Sequence, residues 1–222
     1  MKLKKDQLCQ RILLFLRCEI NFLPLLRMPQ PLHLYFDPMG IKTFADLSFY
    51  LAQRATPLLR RKGFEFFLRN NRSKIQEHRK INAGSIIVMK GAKYNETELH
   101  IAEKLAKAGY IALFPNQGDL GKGRKNDVYL YDNKAYIQHK AELKSLFGYS
   151  AETIKHQLLC GVIQANVIVY DIQSNIKKNW LIEGLRCGWS QNLKMVLLNW
   201  KGQWYKIKKD ALFTQSIYHT LK

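Results

Sequence analysis

The segment DVYLYDNKAYIQHKAELK (127–144) begins with Asp127 and ends with Glu142 and Lys144, in a 222-residue chain that holds only 17 acidic residues. Two carboxylates with an ammonium two positions away are suited to holding a divalent cation beside a reacting water. The apolar alternation on either side of Asp132-Asn133-Lys134 predicts two strands joined by a tight turn. Folding back through that turn brings Asp127 near Gln138 and Lys140 or, with an offset register, near Glu142. Side chains alternate along a strand, so Gln138, Lys140, Glu142 and Lys144 share one face, and Ile137, His139, Ala141 and Leu143 the other. A polar row on a strand flanked by apolar segments is costly to bury unless it is paired or binds something. Neighbouring carboxylates also raise one another's pKa unless a cation lies between them.

Other elements must bring a third acid and the substrate to this strand. NETELHIAEKLAKAG (95–109) predicts an amphipathic helix that stops at Gly109. Its inward stripe holds Glu98, Ala102 and Leu105 together with Leu99 and Ala106. Glu98 is therefore the glutamate aimed at the sheet, whereas Glu96 belongs to the helix start, beside the positive end of the macrodipole. SIIVMK (85–90) and YIALFP (110–115) predict strands on either side of this helix. A helix over about 150–165, a strand in NVIVYDI, a helix in NIKKNWLIEGLRCG, and a hairpin across Lys201-Gly202-Gln203 complete an α/β order. The loop NQGDLGKGRKN is not a phosphate-cradling motif, because no helix starts directly after it. Its Lys122, Arg124 and Lys125 are candidates for sequence-independent contact with a nucleic-acid backbone, with Lys140 on the polar strand face as a fourth. His139 reads as a core histidine, Gln157 and Gln164 as ordinary helix residues, and Trp180, Trp189, Trp200 and Trp204 as core or sheet aromatics.

The balance of 36 basic to 17 acidic residues gives a net charge of +19, which points to a polyanionic partner, with an anionic membrane surface as the rival. Positions 1–95 carry net +12 and 96–222 net +7. Cys9, Cys18, Cys160 and Cys187 form no CxxC pair, which speaks against a zinc ribbon or a disulfide framework. The N-terminal apolar run is interrupted by Arg17 and Glu19, so neither a signal peptide nor a membrane span is expected and a cytoplasmic location is. An interfacial amphipathic helix, giving membrane-surface contact, stays open for this region. Pro24, Pro29, Pro31 and Pro38 break up positions 1–40, and helices are expected between Lys42 and Asn70. The polar stretch 71–84 is read as a domain boundary. It separates a basic, largely helical N-terminal region (1–84) from an α/β domain (85–222).

Glu98 within E-x3-A-x2-LA-x2-G, Asp127 opening a strand, and Glu142-x-Lys144 resemble the core of the PD-(D/E)XK nucleases. The run ELKSLFGYSAETIKHQLLCGVIQANVIVYDI is similar to the segment after the active site in C-terminal tRNase/DNase toxin domains of contact-dependent growth inhibition proteins and related polymorphic toxins. The resemblance covers about 85–210. It implies a restriction-endonuclease-like mixed sheet flanked by helices and a metal-dependent phosphodiesterase acting on tRNA or DNA. It also implies delivery into a target cell and neutralisation by an immunity protein. By position, Glu98, Asp127 and Glu142 would hold the metal, and Lys144 would position or activate the attacking water. Hard oxygen ligands suit Mg²⁺, with Mn²⁺ or Zn²⁺ as alternatives. Asn126 stands where the family has proline, and Gln138-x-Lys140 is a second, shorter-spaced match. The distances in sequence to Thr153-Ile154 and Gln164-Ala165 favour Glu142 and Lys144. A non-catalytic nucleic-acid-binding protein with a degenerate nuclease fold is the alternative.

Overall fold

A computed structural model describes residues 57–118, 120, 126–132 and 137–221, with side chains from Arg61 onward. Its centre is a mixed sheet of eight strands in strictly sequential order: β1 (Ile75–Ile81), β2 (Gly84–Met89), β3 (Tyr110–Phe114), β4 (Val128–Asp132), β5 (Gln138–Leu146), β6 (Val167–Ile172), β7 (Met195–Trp200) and β8 (Gln203–Ile207). The parallel pairs β2/β3, β5/β6 and β6/β7 are each joined through a helix. These helices are α2 (Glu96–Lys107), α3 (Ala151–Gly161) and α4 (Lys178–Gly188). Helix α1 (Pro57–Asn70) precedes the sheet, and the short α5 (Lys209–Leu212) and α6 (Ile217–Thr220) follow it. Strands β2 and β7 are buried along their whole length, as near-continuous apolar runs covered on both faces must be.

The two faces are covered by different helices. On one, Ile101, Ala102, Leu105 and Ala106 of α2 pack on Ile86, Ala112, Leu130, Ala141 and Val167. On the other, Phe64 of α1 meets Ile87 and Leu113, while Ile154 and Leu158 of α3 and Leu181 and Leu185 of α4 cover Ile168 and Val196. Glu142 and Lys144 share the second face with Leu146, which belongs to the α3/α4 cluster.

The sheet starts ahead of the boundary expected at 71–84. Strand β1 pairs antiparallel with β2, from Ile81↔Gly84 to Ile75↔Met89, and α1 and β1 lie in the same compact unit as β2–β8. Gln76, Glu77, His78 and Lys80 of β1 are exposed, so its composition imitates a linker while its backbone is paired. The expected helix before Asn70 is present as α1. Positions 1–56, including the proposed membrane-surface segment, lie outside the described residues, as do Asn133 and Lys134 of the β4–β5 turn. No helix among the described residues is long and apolar enough to cross a membrane. The β7–β8 turn has positive φ at Lys201 (53°) and Gly202 (78°), the backbone a two-residue hairpin turn requires.

Gly84 sits where α2 and β3 close on the start of β2. A Cβ there would strike the carbonyl oxygens of Tyr110 and Ala106, both backbone and unable to move aside. Gly84→Ala is expected to lower the unfolding free energy by about 1–3 kcal/mol in urea titration, and an unchanged midpoint would contradict this close approach.

Candidate functional site

Strand β5 outruns β4, and that difference builds the site. The ladder pairs Tyr131 with Gln138, Tyr129 with Lys140 and Val128 with Ala141. One further step sets Asp127 beside Glu142, which is the offset alternative of the sequence reading. Beyond Val128 the side chain replaces the missing backbone: Asp127 Oδ2 accepts a 2.7 Å hydrogen bond from the Leu143 amide. Gln138 lies at the far end of the pair, opposite Tyr131, and Lys140 is exposed opposite Tyr129.

Glu142 is 5% exposed. Its Oε1 accepts from Lys144 Nζ at 2.9 Å and from Gln164 Nε2 at 2.9 Å. Its Oε2 is buried and has no hydrogen-bond partner, which leaves one carboxylate oxygen unsolvated in an apolar setting. Burial, and next the charge on Asp127, push its carboxyl up to about 7 despite the lysine. Burial likewise raises Asp127, against the Leu143 amide, the Lys144 charge and a shared proton with Glu142. Lys144 reaches this position because α3 places Gly161 beside its stem. A Cβ at 161 would lie 3.3 Å from Lys144 Cε and closer still to Ile168 Cδ1.

Glu98 is differently placed from the expectation. It is the third residue of α2 and closes a capping box, receiving Asn95 N at 3.1 Å on Oε2 and Asn95 Nδ2 at 2.7 Å on Oε1, while its own amide donates to Asn95 Oδ1 at 2.9 Å. The carboxylate is turned back on the helix start instead of standing free toward the sheet. The Asn-x-x-Glu spacing of 95–98 carries that signal in sequence. Glu98 still belongs to the electrostatic unit. Burial and then the Asp127 charge raise its pKa, Lys144 lowers it, and its own charge raises Glu142.

The donors here are carboxylate oxygens, the type that hard divalent cations prefer. Among the described residues no three carboxylate, imidazole or thiol groups stand together as an ion-holding cluster. Asp127 and Glu142 are the pair that meets, and Glu98 is held away by its bonds to Asn95. Lys122, Arg124 and Lys125 lie outside the described residues. Gln164, read in sequence as an ordinary helix residue, follows the end of α3 and holds Glu142 across 22 positions. No periodicity marks it, although the Gln164-Ala165 spacing did. His139 sits on the opposite face, where burial and then the Lys194 and Lys206 charges lower it to about 4. Trp180, expected in the core, is 43% exposed beneath the Lys177 ammonium, 5.2 Å from its ring centroid.

No family model matches the chain, and no curated protein matches it. Among solved structures, half of the chain aligns with 81% of a chain in the CdiA-CT/CdiI toxin and immunity complex from Burkholderia pseudomallei, at 21% identity and a TM-score of 0.39.

Burial of Glu142 has a sign that pH can read. Its folded pKa, about 7, lies above the ordinary 4.5, so the proton favours the fold. This contribution is complete below about 4.5 and is lost as pH rises to about 7. His139, lowered from 6.5 to about 4, acts oppositely, losing its contribution as pH falls through that interval. Comparing the parent with Glu142→Gln isolates the acid. In urea unfolding without divalent cations, the variant is expected to gain on the parent as pH rises from 4.5 to 7.5. A constant difference across that range would show that Glu142 ionises normally.

Proposed function

We propose that this protein is a divalent-cation-dependent nuclease that cleaves phosphodiester bonds in tRNA or DNA, as a toxin-type effector domain with an immunity protein as its partner. The observation that carries the reading is the pairing of Asp127 with Glu142, whose buried Oε2 lacks a donor, with Lys144 bonded to the same carboxylate. Asp127 and Glu142 would hold the cation, Mg²⁺ foremost with Mn²⁺ and Zn²⁺ as alternatives. Glu98 would be the third carboxylate on release of its two bonds to Asn95. A bound cation would neutralise charge on the phosphoryl oxygens and make its water more acidic.

The chain's own groups supply the rest. Lys144 donates to the scissile phosphate or orients the attacking water, a charge-assisted contact whose effect grows in a site partly shielded from solvent. Gln164 keeps Glu142 in place while Lys144 turns to the substrate. Lys140, and the basic residues Lys122, Arg124 and Lys125, would contact the backbone of the substrate without reading its sequence. The net charge of +19 favours the approach of any nucleic acid.

Purified protein incubated with tRNA and with plasmid DNA is expected to cut at least one of them with Mg²⁺ and neither with excess chelator. Lys144→Ala should lose about 10²-fold or more of the rate, and Asp127→Ala should lose all measurable cleavage. Equal cutting by both variants sinks the proposal. Retention of nucleic acid that weakens with salt, with no cleavage, would identify the non-catalytic alternative. Binding can be followed separately from activity. Mn²⁺ at about 100 times its dissociation constant should raise the unfolding free energy by roughly 2.7 kcal/mol at pH 8. Asp127→Asn combined with Glu142→Gln should remove that gain; if the doubly substituted protein keeps it, the cation binds elsewhere.

A further inference from the structure

On the face that α2 covers, opposite Glu142, a second polar cluster lines a cleft of roughly 540 Å³ between α2, the ends of β6 and β7, and the β7–β8 turn. That volume falls within the roughly 300–1,000 Å³ of small-molecule sites. Asp171 lies at its base, 1% exposed. It accepts hydrogen bonds from Lys104 Nζ and Asn199 Nδ2, each at 2.7 Å, and from Gln173 Nε2.

These bonds decide the orientation of Asn199. Turning its amide over would press a carbonyl oxygen against the Asp171 carboxylate, so the nitrogen faces the acid and Oδ1 is the acceptor left over. Asn199 is 8% exposed, and this Oδ1 has no partner. An unmet buried acceptor costs about 1–3 kcal/mol, so a donor entering the cleft meets a real deficit. The half-buried Trp204 forms another part of the lining. Lys107 and Lys201 are exposed in the same cleft, the Lys201 ammonium 4.7 Å from the Trp200 ring centroid. Lys104 is neutralised by Asp171, but these two cations are not.

A ligand that answers all three features needs a hydrogen-bond donor for a deep acceptor, a flat ring for the indole, and an anion for the exposed lysines. We propose that this cleft binds an adenine-type nucleotide, its base amino group donating to Asn199 Oδ1, its ring against Trp204, and its phosphate meeting Lys107 and Lys201. The ligand is either a free nucleotide or one residue of a nucleic-acid strand. The site does not depend on the Asp127/Glu142 reading, because it shares no residue with it and lies on the other face of the sheet.

The test uses the whole protein and isothermal titration with two probes, AMP and an eight-residue oligoadenylate. Binding of AMP with comparable affinity identifies a free-nucleotide site, and binding of the oligonucleotide alone identifies a strand-residue site. Purine riboside monophosphate, which lacks the amino group, should bind at least tenfold more weakly than AMP where AMP binds, and an inosine-substituted oligonucleotide serves the same purpose for a strand. Asn199→Leu should abolish binding. Should that variant fail to fold, Lys107→Ala with Lys201→Ala, both at the surface, should weaken binding at least tenfold and reduce its salt dependence. No binding of either probe at millimolar concentration, or equal binding by the double lysine variant, overturns the proposal.

Discussion

A carboxylate completing a backbone ladder is the constraint from which the rest of the site follows. Strand β4 ends one residue short of Glu142, and Asp127 Oδ2 takes the Leu143 amide that a longer strand would have satisfied. The bond fixes one acid against the edge of β5 and thereby sets it next to a second. Neither acid can move away without leaving a backbone amide unmet or disturbing Lys144 and Gln164 on Glu142 Oε1. Their mutual charge and the loss of water then raise both pKa values. Strain of this kind is held by secondary structure and does not relax by a change of rotamer alone.

The layers around the sheet explain why such a pair can persist. Glu142 and Lys144 emerge on a face whose two flanks are covered separately, by α1 on one side and by α3 and α4 on the other. Between those covers the strand carries polar groups without burying them in a continuous apolar layer. On the opposite face, α2 brings Lys104 to Asp171, so the one helix that caps its start with Glu98 also neutralises an acid near the end of β6. The chain thus places two acid-centred networks on opposite faces of one sheet, each at the ends of strands.

Much of this was legible in the sequence, for definite physical reasons. The runs in β2, β3, β6 and β7 are apolar because both faces are covered, and the helices between them repeat every three or four residues, so their order could be read directly. The polar alternation of Gln138, Lys140, Glu142 and Lys144 correctly marked an unusual strand. Its register was not legible, because the pattern allows Asp127 to meet either Lys140 or Glu142 and only the length of the turn decides. The direction of Glu98 was misjudged since helical spacing reports which face a Cα occupies, while capping redirected the carboxylate. Strand β1 was taken for a linker because an exposed edge strand keeps charged side chains and hides its order in backbone bonds. The bond from Gln164 to Glu142 depends on where a helix ends in space, which no local pattern encodes.

The order of the sheet has a consequence for how the chain can be handled. Every strand pairs with the strand before it in sequence, and no ladder waits for a distant segment. Loop closures are therefore short, and topologies of this kind need little long-range search. A chain threaded end first through a narrow passage could rebuild its sheet one neighbour at a time as each segment emerged, so the architecture tolerates unfolding in transit better than one whose central strands come from opposite ends.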